Sequence, residues 1–215
     1  SLRSHQRAAA AWAGGRFNDE VVPVPVPQRK GDPILFAKDE GIRPDTTLES
    51  LAALRPVMKG GTVTAGNASQ QNDAAACCLV VAEDKLSSLG LKPMGFLHGW
   101  AVAGCEPGIM GIGPVPAVRK LFKKTGLSFN DIGLVELNEA FACQALSVLK
   151  GWDWNDPDRL NVNGSGISLG HPVGATGARI MTTLLYEMQR RQSRYGLETM
   201  CIGGGQGIAA IFERA

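Results

Sequence analysis

The sequence lacks a run of apolar residues that approaches the length of a membrane span, so no transmembrane segment is expected. It also lacks an excess of either charge, because 22 Lys and Arg balance 20 Asp and Glu to leave a formal net charge of +2. The densest basic group, Arg190, Arg191 and Arg194, is typical of the end of a helix, where cations suit the helix dipole. We therefore expect neither nucleic acid nor a membrane surface as a partner.

Cysteine pairs at metal-binding or redox spacing are also absent. The five cysteines, at positions 77, 78, 105, 143 and 201, include no CxxC pair and have no histidines at zinc spacing. This pattern indicates neither a disulfide framework nor a metal site, and free thiols favour a reducing compartment such as the cytoplasm. The start, SLRSHQRAAAA, has no apolar signal-peptide core and no initiator methionine, which suggests a chain that begins partway through a longer protein.

The order of the predicted elements favours a layered α/β protein. Residues 4–13 predict a helix, residues 21–33 an extended proline-rich edge, residues 46–54 a short capped helix, and residues 74–82 a buried apolar run. After Met94, strands are predicted at 96–102, 133–137, 199–202 and 208–212, and helices at 114–125, 140–150 and 175–191. Such alternation implies helices packed on a sheet.

The stretch NVNGSGISLGHPVGATGARI, residues 161–180, combines five glycines with His171. It has neither the Lys and Ser/Thr pair that ends a P-loop nor the GxGxxG spacing of a dinucleotide site. The glycines instead permit close backbone approach around reactive side chains. Pro172 restricts the backbone of His171 to extended values and so limits where its imidazole points. A lone loop histidine is more often structural than catalytic, so a catalytic role for His171 depends on the residues that lie near it.

Two other polar positions follow predicted strands. Asn138 and Glu139 stand where a strand ends and a helix begins, which is where sites gather in α/β proteins. Cys201 lies near the end of a strand, with only Ile202 between it and three glycines whose N–H groups could bind an oxyanion. Together with His171, these positions point to an enzyme of acyl or carbonyl chemistry.

These segments together resemble the thiolase family, whose members make or cleave 3-ketoacyl-CoA. The resemblance rests on five motifs: GTVTAGNAS (61–69), MGIGP (110–114), NEAFA (138–142), GHP (170–172) and CIGGG (201–205). It implies a thiolase-like layered α/β/α/β/α fold, of which this chain holds the later part. By the resemblance, residues 1–70 are the end of the loop domain, 71–92 the closing strand and helix of the N-terminal domain, and 93–215 the C-terminal domain.

The resemblance also implies roles for the residues present. Cys201 matches the acid/base that moves the α-proton, and because a free thiol is mostly protonated at neutral pH, we expect its site to favour the thiolate. Gly203 matches an oxyanion-hole donor. His171 matches the residue that activates the nucleophile and binds the thioester oxygen, and Asn138 matches the residue that holds a water in that second hole. Glu139 is expected to orient this loop.

Coenzyme A is implied as a substrate, with no other cofactor and no metal. The resemblance assigns Ser69 to the pantetheine chain, Met110 and Phe141 to the apolar walls of its tunnel, and Arg43 to the adenine and phosphates. The alternatives remain open: Met110 and Phe141 could be plain core, and Arg43 a solvated surface residue. The chain departs from the family at NDAAACC, where NDGAAA is common, and at the two glutamines after Ser69.

None of the cysteines has the small-residue turn and helix start of the family's nucleophile. Cys77, Cys78 and Cys143 are interpreted as buried structural residues. The nucleophile is therefore expected in a missing N-terminal half, on the same or a separate chain, and without it this chain should not turn over. The alternative is a non-catalytic acyl-CoA-binding or assembly subunit. The related β-ketoacyl synthases carry a histidine where Cys201 stands, and the family implies a homo-oligomer.

Overall fold

The computed structural model describes residues 1–215, and the first ninety or so of these residues form short elements joined by loops. Helix α1 (Leu2–Ala13) is followed by a two-stranded antiparallel hairpin of β1 (Val24–Val26) and β2 (Ile34–Phe36). Helix α2 (Leu48–Ala52) begins at a capping box in which the side chains of Thr47 and Ser50 bond each other's backbone N–H. A 3₁₀ turn (Glu83–Lys85) leads into α3 (Leu86–Leu89).

The remaining residues build a four-stranded mixed sheet in the order β3-β6-β5-β4. Its strands are β3 (Gly95–Gly104), β4 (Ile132–Leu137), β5 (Tyr195–Ile202) and β6 (Gln206–Arg214). Strand β4 pairs parallel to β5, whereas β6 pairs antiparallel to both β5 and β3. The connections contain a 3₁₀ segment (Pro107–Ile112) and helices α4 (Pro114–Thr125), α5 (Ala142–Trp152), α6 (Gly166–Leu169) and α7 (Thr176–Arg191).

Helices cover both faces of the sheet. Helix α4 packs on β3 and β6, while α7 packs on β4 and β5. Helix α7 buries an apolar stripe, since Ile180, Leu184 and Met188 are no more than 1% exposed. Burying a Leu or Met side chain of this kind stabilises a fold by about 1.5–3 kcal/mol. No helix combines the length and the apolar character needed to cross a lipid bilayer.

Most predicted elements form, with boundaries shifted by a few residues. The helix predicted at 114–125 has those bounds, the last two strands extend further than expected, and the helix predicted at 46–54 is shorter. The prediction for residues 74–82 is wrong: no strand or helix forms there, and Leu79 and Val80 are 76% and 88% exposed. An apolar run becomes a buried strand only where a neighbouring strand accepts its backbone hydrogen bonds, and none does here.

Candidate functional site

Asn138 and Cys201 lie at one edge of the sheet because β4 and β5 run parallel. Asn138 directly follows the last residue of β4, and Cys201 is the penultimate residue of β5. The Asn138 N–H donates to the Thr199 carbonyl oxygen at 3.0 Å, which fixes the Asn138 loop two residues from Cys201. The two loops that carry these side chains are therefore joined by the backbone itself.

The Asn138 side chain is fully buried and has no partner in the protein. Both its Oδ1 and its Nδ2 are inaccessible and make no hydrogen bond. A Cβ at Gly166 would lie 2.7 Å from Asn138 Oδ1, so only glycine lets the loop that leads to His171 approach so closely. Buried amides normally find partners, and the protein supplies none for this one.

The His171 ring is held by Thr176. The two side chains meet at 2.6 Å between His171 Nδ1 and Thr176 Oγ1. The Thr176 hydroxyl also lies 2.9 Å from the Pro172 carbonyl oxygen, and donation to this oxygen favours the tautomer in which His171 Nδ1 carries the proton. Burial, and then the positive charge of Arg179, lower the pKa of His171. In that tautomer His171 Nε2 is unprotonated and able to act as a base.

The surroundings of Cys201 in this chain disfavour the thiolate that was expected from the sequence. Burial raises the pKa of Cys201, and the neighbouring Cys105 raises it further. Cys105 is tied to the following turn, since its N–H donates to the Gly205 carbonyl oxygen at 2.8 Å. Gly203 opens this turn, and a Cβ there would meet no atom within 4 Å, so its surroundings are open to a ligand.

The loop after β4 is anchored by residues that sequence reasoning missed. Asn161, with a φ of 47°, accepts from the Leu137 N–H and donates to the Leu137 carbonyl oxygen, both at 2.8 Å. Its amide also donates to Glu139 Oε1 at 3.2 Å, while Ser4 Oγ donates to Glu139 Oε2 at 2.5 Å. The asparagine side chain therefore continues the ladder of β4 into a loop. The only signal for it was the N-x-N-G pattern before the glycine-rich stretch.

Three of the predicted CoA residues lie around the start of α5. Phe141 occupies the N-cap position of this helix and is 41% exposed. Its backbone forms an isolated antiparallel β-bridge with Ala68. Ser69 donates its N–H to the Ala140 carbonyl oxygen at 2.8 Å. Met110 lies half-buried in the 3₁₀ segment that packs on α5. Arg43 is separate and exposed, with its backbone N–H on His5 Nδ1 at 3.2 Å.

A buried charged cluster lies between α7 and the sheet. Glu136 of β4 and Glu198 of β5 are directly opposed in register, and burial raises the pKa of each to about 8. Burial also raises the pKa of Glu20 to about 7. The Arg179 guanidinium is buried beside these carboxyls without a hydrogen bond to any of them. The cluster gives the α7 side of the sheet a pH-dependent charge.

The cysteines interpreted as structural are exposed. Cys77 and Cys78 lie in the irregular residues 74–82, and Cys143 points to solvent because α5 buries the opposite face, with Gln144, Val148 and Leu149. The predicted burial was therefore wrong for all three. No group of three or more His, Cys, Asp or Glu side chains is arranged to hold a metal ion.

Two protein-family models together match nearly the whole chain. A family model described as the thiolase C-terminal domain matches residues 91–214, and one described as the thiolase N-terminal domain matches residues 1–84. The chain belongs to the thiolase family. The predicted thiolase-like α/β fold is confirmed by solved thiolase structures that superimpose on this chain.

Relatives of this thiolase chain are about twice as long. The acetyl-CoA acetyltransferases of Chromobacterium violaceum and Pseudomonas aeruginosa are 57% and 51% identical, over 100% and 98% of this chain but only 55% and 54% of their own lengths. The Bacillus anthracis acetyl-CoA acetyltransferase superimposes with a TM-score of 0.96 at 46% identity, covering 100% of this chain and 54% of its own. Human mitochondrial 3-ketoacyl-CoA thiolase in complex with CoA superimposes with a TM-score of 0.89 at 46% identity, covering 100% and 53%. The chain thus spans about half the length of these thiolases.

Proposed function

We propose that this chain supplies His171, Asn138, Cys201 and Gly203 to an active site that transfers acyl groups between CoA and acetyl-CoA. The reaction is thiolytic cleavage of a 3-ketoacyl-CoA or the reverse Claisen condensation. The observation that carries the proposal is the buried Asn138 amide, which has no partner in the chain, at the sheet edge where Cys201 stands near the end of β5. Backbone hydrogen bonds of residues 67–72 also join the Asn138 loop to the His171 loop, which supports the inclusion of His171. The names of the relatives support acetyl-CoA as a substrate.

In this proposal each group has a defined task. His171 Nε2 takes the proton of the nucleophilic thiol and then donates to the thioester oxygen. The Asn138 amide holds a water that donates to the same oxygen, and donors of this kind contribute a few kcal/mol each to transition-state stabilisation. The protonated Cys201 gives its proton to the departing acetyl carbanion in cleavage, so a raised pKa keeps it in the form that thiolysis needs. The Gly203 N–H faces the oxyanion formed at that step.

Ser69, Met110, Phe141 and Arg43 are proposed to contact CoA. The first three surround the start of α5, which fits a tunnel for the pantetheine chain. Arg43 stands apart, where an exposed guanidinium suits the phosphates.

We also propose that the chain divides into domains after residues 70 and 92. The protein is further proposed to be a homo-oligomer with a cytoplasmic location. Light scattering after gel filtration would measure the oligomeric state.

The nucleophile is expected in a polypeptide segment outside this sequence, which an experiment can supply. The part of the Chromobacterium violaceum relative that precedes its match would be fused to this chain. We expect the fusion to cleave acetoacetyl-CoA with CoA and to condense acetyl-CoA. Cys201→Ala should abolish both reactions, whereas Cys78→Ala, an exposed cysteine outside the site, should leave them unchanged.

Two outcomes would contradict the proposal. A folded fusion that binds CoA but turns over neither substrate would favour the alternative of a non-catalytic acyl-CoA-binding or assembly subunit. Activity retained in Cys201→Ala would refute the acid/base role of that thiol.

A further inference from the structure

A segment of irregular backbone, residues 67–72, crosses both loops of the candidate site, and we name it the strap. The Ala142 N–H donates to the Asn67 carbonyl oxygen at 2.9 Å, and the Ser69 N–H donates to the Ala140 carbonyl oxygen at 2.8 Å. The His171 N–H then donates to the Gln70 carbonyl oxygen at 3.0 Å. The strap therefore fixes the spacing between the Asn138 loop and the His171 loop.

Gln70 bonds a donor and an acceptor at the end of α6. The helix ends at Gly170, whose φ of 91° lies outside the helical region, so the His171 N–H does not bond the Ile167 carbonyl oxygen as it would in a continuing helix. Instead the Gln70 carbonyl oxygen accepts the His171 N–H, and Gln70 Nε2 donates to the Ile167 carbonyl oxygen at 3.2 Å. One residue thus satisfies two of the groups that the end of α6 leaves unpaired.

The same side chain reaches a third part of the chain. Gln70 Nε2 also donates to the Gly41 carbonyl oxygen at 2.9 Å, and Gly41 packs so closely on the Gln70 amide that a Cβ there would overlap it. Gly41 lies two residues before Arg43, the exposed arginine proposed for CoA. Gln70 is thereby a direct link between the His171 loop and the Arg43 loop.

We propose that Gln70 is a positioning residue for His171, since its carbonyl oxygen holds the His171 N–H and its side chain ties the end of α6 to the loop of Arg43. Without the side-chain N–H donors, the Ile167 and Gly41 carbonyl oxygens lose this shared partner, so the turn that carries His171 is no longer fixed on that side and the imidazole shifts. A misplacement of a catalytic group by about 1 Å can cost roughly 100-fold in rate. The catalytic part of this inference rests on the proposed function, whereas the geometric part does not.

The test compares Gln70→Met and Gln70→Glu with the original chain by NMR. Both variants keep the length of the side chain and remove its N–H donors. We expect the amide hydrogen of His171 to exchange at a changed rate, and the ¹⁵N shifts of its ring to differ from those of the original chain. Gln71→Met is the matched control, because Gln71 is the exposed neighbour without these contacts, and it should leave His171 unchanged.

In the active fusion, Gln70→Met should lower kcat by roughly 10- to 100-fold with a much smaller change in KM. Unaltered His171 signals in both Gln70 variants would overturn the inference, even if their melting temperatures fell. Should Gln70→Met fail to fold, Gln70→Glu makes the same comparison. Altered His171 signals beside an inactive fusion would refute the proposed function alone, whereas an active fusion with unchanged signals and kcat would refute the positioning role alone.

Discussion

The buried carboxyl of Glu136 predicts a chain that loses stability as the pH rises. Its pKa is raised from 4.5 to about 8 in the folded state because burial disfavours the carboxylate. The unfolded state therefore releases this proton at a lower pH than the folded state does. The free energy of unfolding therefore falls as the pH rises from about 4.5 to about 8.

Replacing Glu136 by Gln removes the pH dependence that this carboxyl gives to the free energy of unfolding. A pKa unit corresponds to about 1.4 kcal/mol, so the proton that the folded state retains costs about 3 kcal/mol at pH 7 and about 1 kcal/mol at pH 5. We expect Glu136→Gln to raise the free energy of unfolding by about these amounts. Glu198 and Glu20, whose pKa values are raised to about 8 and about 7, leave a smaller slope in the variant.

The measurement is urea unfolding at pH 5, 6, 7 and 8, followed by tryptophan fluorescence. Glu83→Gln is the control, because it makes the same substitution at an exposed side chain. If Glu136 were instead ionised and paired with Arg179, its replacement would leave a buried guanidinium alone and cost about 3–5 kcal/mol. A destabilised variant, or equal slopes in both proteins, would refute the reasoning.

Three further predictions concern the site and the core. Thr176→Val should let His171 populate both neutral tautomers, visible in its ring ¹⁵N shifts, whereas Thr176→Ser should not; a single tautomer in the Val variant would contradict the assignment of Nδ1–H. Leu184→Ala should lower the free energy of unfolding by about 2–5 kcal/mol in urea titrations, while Leu146→Ala, at a side chain 64% exposed, should cost far less. Iodoacetamide at pH 7 should modify Cys201 more slowly than the exposed Cys143, as peptide mass spectrometry would show; faster modification of Cys201 would contradict its raised pKa.

The fold of residues 95–215 could be predicted from the sequence because its signals are local. Proline at the start of α4, glycine after its end, and the apolar stripe of α7 each mark an element without knowledge of its neighbours. Residues 74–82 failed for the complementary reason, since their apolar character says nothing about whether a partner strand is present. The exposure of Cys77 and Cys78 follows from the same missing partner.

The sequence motifs predicted the polar residues of the candidate site but not the residues that hold its loops in place. Asn138, His171 and Cys201 stood out because each follows a strand or interrupts a glycine-rich stretch. Gln70 and Asn161 did not, because their roles depend on carbonyl groups far away in the chain. The raised pKa of Cys201 likewise could not be predicted from the sequence, since a thiol pKa depends on burial that only packing reveals.

The pairing of β3 with β6 has a consequence for the order in which the chain can fold. Gly95 pairs with Arg214 and Gly104 with Gln206, so the strand made first in this sheet has a partner only in the last strand of the chain. Contacts this distant in sequence form slowly, because a long loop has to close first. During synthesis β3, with Phe96, Leu97 and Trp100 exposed even in the sheet of this chain, stays unpaired until β6 has been made. Chaperone dependence of the nascent chain should therefore concentrate on residues 95–104.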